Sequence, residues 1–81
     1  MVMTYIKKPQ KIEAIQWDGT NFKEIQSWCK WHLVEYEDGS LGVPTLEGMV
    51  RAQKDDYIIK GTQGDYYPCK ANIFQLVYER A

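Results

Sequence analysis

Residues 55–74, DDYIIKGTQGDYYPCKANIF, have no helical period. Short apolar runs are broken by Gly61-Thr62-Gln63-Gly64 and by Pro68, and that punctuation leaves room for short strands and turns. Upstream, Asp38-Gly39 is a strong two-residue hairpin signal in which both turn positions take positive φ, and Leu46-Glu47-Gly48 reads as a further turn. Between these breaks lie expected strands at residues 32–36, 40–43, 49–52, 57–60 and 65–69, with Pro44 stopping the second and residues 53–56 forming a polar link.

The first part of the chain follows a different rule. Residues 11–17, KIEAIQW, alternate polar with β-branched and aromatic side chains and read as a strand, with Pro9 as its entry. Asp18-Gly19 ends it. Asn21 is then a cap whose amide oxygen can take an orphan helix N–H while Glu24 reaches back. Phe22, Ile25, Trp28 and Cys29 recur at helical spacing, so residues 22–31 form one amphipathic helix with Trp28 and Trp31 on the same side. Near the end, Asn72 caps a single turn through Ile73 and Phe74, and residues 76–79 close as a strand. The expected fold is α+β, one amphipathic helix packed on a curved, mostly antiparallel β-sheet, and residues 1–81 make a single small domain.

Size and charge exclude several functions. A chain of 81 residues buries only a modest core, yet 14% of it is aromatic, with three tryptophans. Some rings are therefore expected at an interface or in a pocket, and self-association into a homo-oligomer would cover them. The net charge of -1 gives no electrostatic footprint for duplex nucleic acid and no acidic mimic of it. The N-terminus, MVMTYIKKPQ, lacks the apolar centre of a secretory signal, and no run is long enough to span a membrane, so a cytoplasmic protein is expected. In that compartment Cys29 and Cys69 read as small buried hydrophobes rather than a bridge.

One constellation has the chemistry of a binding site. Tyr57, Tyr66 and Tyr67 flank a glycine-bearing hairpin together with Lys60, Lys70 and Arg51, the mixture that stacks a base and neutralises a phosphate. The same residues also read as half-buried strand tyrosines with solvated lysine neighbours. Alternation sends Tyr66 and Tyr67 to opposite faces, so one is expected in the core and the other at the surface. Gly61-Thr62-Gln63-Gly64 fits a G-x-x-G backbone clamp, but a four-residue hairpin turn accounts for it fully. Trp31 is a candidate anchor for a protein partner, or a cover over the sheet. Cys29 and His32 have the spacing of two metal ligands but lack the further pair a structural zinc needs, and no catalytic signature is present. No enzyme activity, metal or cofactor is expected.

Thr45-Leu46-Glu47-Gly48, Asp56-Tyr57-Ile58-Ile59-Lys60-Gly61, Gly64-Asp65-Tyr66-Tyr67-Pro68-Cys69-Lys70, Asn72-Ile73-Phe74 and Tyr78-Glu79 resemble the tail of a family of small phage and prophage proteins, which reads TLEG, GDYIIKG, GEFYPCKPDIF and TYE. Lys8-Pro9 and Ile12-Glu13-Ala14-Ile15-Gln16-Trp17 resemble its first half. The chain departs at Asp55, where the family has glycine, at Ala71, where it has proline, and at Asn72, where it has aspartate. The resemblance implies a phage accessory protein without catalytic groups, one that counters host defence by binding. The most concrete version sequesters a nucleotide immune signal. The alternative is a protein-interaction module that inhibits a host defence protein or serves in phage assembly.

Overall fold

The computed structural model describes residues 12–78; the expectations for Lys8, Pro9, Lys11 and Glu79 lie outside the described residues. Six strands and two helices follow in the order β1 (Glu13–Gln16), α1 (Phe22–Trp28), β2 (Val34–Glu35), β3 (Leu41–Thr45), β4 (Gly48–Ala52), β5 (Tyr57–Lys60), β6 (Tyr66–Cys69) and α2 (Ala71–Val77). The fold is α+β, as the turn pattern implies. Its strands divide into two three-stranded antiparallel sheets, ordered β1-β5-β6 and β2-β3-β4.

The core forms between the sheets and α1. Leu41, Val43 and Ala52 of one sheet, Ile58 and Tyr66 of the other, and Trp17, Ile25, Cys29 and Leu33 make one buried cluster. Trp17 is fully buried, and its indole N–H would be stranded there without a partner; it donates to the Gly39 carbonyl at 3.0 Å. The β1-β5-β6 sheet is also covered on its other face. Ile59 is fully buried on the face it shares with Tyr57 and Tyr67, and Phe74 of α2 stacks on Tyr57 with ring centroids 3.8 Å apart.

Several local expectations are corrected. The expected helix over residues 22–31 ends at Trp28, because Gln26 stitches the chain into a loop there: its amide donates to Trp31 O at 3.0 Å and accepts from Leu33 N at 2.9 Å. Trp31 thus lies beyond the helix. Asn21 stands at the N-cap of α1 as expected but makes no side-chain cap bond; its oxygen accepts from Asp18 N at 3.1 Å, while its amide donates to Gln16 O and Glu24 Oε1. It ties β1 to α1 instead.

Pro44 does not stop β3. β2 pairs only with Leu41 and Gly42, so beyond them β3 has one unpaired side where a missing N–H costs nothing. The Asp38-Gly39 hairpin needs positive φ at Gly39 alone, since Gly39 N bonds to Tyr36 O and Tyr36 N to Ser40 O around a three-residue loop. At the far end, Asn72 lies inside α2 and makes no cap bond. The expected strand from residue 76 is instead the end of that helix, where the spacing of Phe74 and Tyr78 lets both rings stack. The single expected helix is therefore two.

Candidate functional site

The six residues expected to stack and neutralise a nucleotide fall in three separate places. Arg51 projects from the outer side of the β2-β3-β4 sheet, opposite Gly42. Its guanidinium lies 3.8 Å from the centroid of the Tyr36 ring, and its Nη1 donates to Asp38 Oδ2 at 3.3 Å. Gly42 permits this, because a Cβ there would meet Tyr36 Cε2 at 2.8 Å. The Asp38 carboxyl is held below its ordinary range, first by the Ser40 hydroxyl and backbone and then by Arg51.

Tyr66 is core. Its ring packs edge-on against Trp28 at 5.3 Å, its hydroxyl donates to Trp28 O at 3.3 Å, and it is 1% exposed, so no base can stack on it. Lys60 shares that face of the sheet and pairs across β1 with Glu13 at 3.6 Å. Tyr57 and Tyr67 lie on the opposite face. Phe74 is stacked between Tyr57 at 3.8 Å and Tyr78 at 4.8 Å. Lys70, just ahead of α2, donates to Asp56 Oδ2 at 3.2 Å; Asp56 is buried and also accepts from Gln53 N. All three cations of the expected site already face a carboxylate within the described residues.

The remaining candidates are also placed. Trp31 is 44% exposed in the loop after α1, open to a partner. Gly61 N bonds to Asp65 O and Gly64 N to Gly61 O, so those N–H groups of the G-x-x-G segment serve its hairpin turn. Cys29 and Cys69 are free thiols, both pushed up in pKa chiefly by burial, and His32 is exposed. Among the described residues, no group of three or more His, Cys, Asp or Glu side chains is gathered for a metal. No helix among them is long and apolar enough to cross a membrane.

Two features escaped the sequence reading. One is the outer side of α2, where Ile73, Leu76 and Val77 are 49%, 86% and 65% exposed. Their i, i+3, i+4 spacing was the available signal. The other is an open hollow of about 410 Å³ between the β3–β4 turn and β6, walled by Thr45, Leu46, Glu47 and Val50 on one side and by Asp65, Tyr67 and Pro68 on the other. Tyr67 has its phenol pushed up to about 12, by burial first and then by hydrogen bonding with the Tyr78 phenol and the charge of Asp65. It stays neutral at any physiological pH. The hollow joins residues 45–47 to residues 65–68, two stretches that sequence alone treats as unrelated turns.

No family model, curated protein or solved structure matches this chain. The resemblance to small phage proteins rests on the quoted motifs.

Proposed function

We propose that this chain is a phage accessory protein that acts by binding another protein, a host defence protein or a phage assembly component, through the outer side of α2. The observation that carries the reading is the composition of that side. From Ala71 to Val77 the helix has no charged residue, its inward rings occupy the sheet, and three aliphatic side chains face solvent. An exposed apolar stripe of this kind costs solubility and marks an interaction surface. The nucleotide version of the same counter-defence role draws less support from the geometry, since Arg51, Lys60 and Lys70 are each engaged by a carboxylate. A cytoplasmic site of action accompanies either version.

A photo-crosslinking residue placed at position 76 in infected cells tests the reading. A stoichiometric crosslink to one host or phage protein is expected at position 76, and Leu76→Glu should abolish both co-purification and the phage's protection. Crosslinking only to further copies of this chain would count against it. Titration calorimetry with cyclic and linear nucleotides tests the other version: no compound binding better than about 1 mM, or about -4 kcal/mol, would end it.

A further inference from the structure

The hollow between the β3–β4 turn and β6 has a definite chemical character. Leu46, Val50, Tyr67 and Pro68 give it apolar surface, and its two charges, Glu47 and Asp65, are both negative. Neither carboxylate has an ion-pair partner among the described residues, in contrast to Asp38, Asp56 and Glu13, which each hold a cation. Asp65 is also held in place. Its carboxylate lies against Gly61 so closely that a Cβ on that residue would collide with it.

Val50 brings apolar surface to the hollow. It faces the same side of its sheet as its register partner Val43, which is fully buried, yet Val50 is 40% exposed. Apolar surface on the core side is thereby left open beside two acids. The hollow, about 410 Å³ and open to solvent, has room for one long side chain.

We propose that this hollow receives an arginine side chain of the partner protein, its methylene stem against Leu46, Val50 and Pro68 and its guanidinium between Glu47 and Asp65. The proposal rests on the protein-binding reading and supplies the partner's chemistry. A long cationic side chain matches both halves of the lining: the stem covers apolar surface that an acid or a phosphate would leave wet, and the planar head can bond two carboxylates and lie on the Tyr67 ring. Because the phenol of Tyr67 is neutral, the ring face keeps its attraction for a cation without adding a third charge. A phosphate-bearing ligand would instead meet two like charges.

The test uses the peptide Ac-Ala-Leu-Arg-Leu-Ala-NH2 and its counterpart with glutamine for arginine, titrated into the full chain by NMR. Saturable shifts of the Leu46 and Val50 methyl and Tyr67 ring signals are expected with the arginine peptide. The glutamine peptide should bind about fivefold more weakly or worse, as should the arginine peptide with the Glu47→Gln/Asp65→Asn double variant. These isosteric replacements keep the shape of the hollow, and an unchanged spectrum away from it confirms that the variant is folded. Equal shifts from both peptides, or shifts confined to α2, would overturn the proposal. The crosslink at position 76 would survive that outcome, whereas loss of the crosslink would strike the protein-binding reading itself.

Discussion

α1 and α2 are both seven residues long, and they use their apolar side chains in opposite ways. α1 sends Ile25 into the core at 0% exposure, half-buries Phe22 and Trp28, and shows Lys23, Glu24 and Ser27 to water. Its amphipathic pattern is consumed by the fold. α2 buries no residue fully: Phe74 and Tyr78 cover one face of the β1-β5-β6 sheet, while Ile73, Leu76 and Val77 face outward. A helix whose apolar content exceeds what its own sheet can absorb has surface left for something else. Periodicity alone separates helix from strand, but only what is covered shows how much of a helix the fold itself uses.

The two tyrosines of β6 should give the largest effect. Tyr66→Ala removes a fully packed ring from the α1 side and should cost about 3 to 5 kcal/mol, enough to unfold so small a domain. Tyr67→Ala, on the α2 side, should cost about 1 kcal/mol. Equal losses in urea melts would break the comparison. A matched pair of isoleucines comes next. Ile25→Ala should cost about 2 to 4 kcal/mol and Ile73→Ala less than about 0.5, so only Ile73→Ala should reduce partner capture while melting stays unchanged.

A smaller effect is expected at Asp55, which takes φ 76 just ahead of the Asp56 that holds Lys70 at the foot of α2. Asp55→Ala should lower stability by about 1 kcal/mol, and Asp55→Gly should match or slightly exceed the parent. Calorimetric melting would read both. If glycine proves the worse replacement, the strain is not real.

Acid should produce the least change. Asp18 accepts from the Thr20 hydroxyl and N–H ahead of α1, Asp38 accepts from Ser40, and both carboxyls are depressed in pKa. A group depressed by folding contributes its stability above its unfolded value near 3.8 and loses it as pH falls through the lower folded value. Melting temperature should therefore decline below about pH 4, and Asp18→Asn with Asp38→Asn should flatten that decline. An unchanged slope would remove these turns from the account.

Where the residues carried their own local instruction, the sequence could be read directly. β5 has the bounds that its flanking turns imply, residues 61–64 turn with Gly64 at positive φ, and Tyr66 and Tyr67 part to opposite faces because strands have a period of two. What could not be read depends on partners distant in sequence. Gln26 looks like a surface helix residue until its amide is seen closing the loop to Leu33. Pro44 looks like a strand breaker until β2 is seen to be too short to reach it. Asn21 has a capping residue's identity but is claimed by Gln16 and Asp18. The candidate site suffered most. Arg51, Lys60 and Lys70 are near one another in the chain's logic of aromatic and basic residues, but register and strand direction assign them to three separate carboxylates. Even the φ of Asp55, positive where the phage pattern has glycine, is set by a bond from Asp55 N to Trp17 O across the molecule.

The pairing of β1 with β5 has a kinetic consequence. β2, β3 and β4 follow one another as adjacent hairpins, so their sheet can form by closing short loops, whereas Glu13–Gln16 must find Tyr57–Lys60 after everything between them has been threaded. Loop-closure entropy makes that last search slow. The meander should then form first and β1 close last, setting Trp17 over Gly39 once the turn it binds exists.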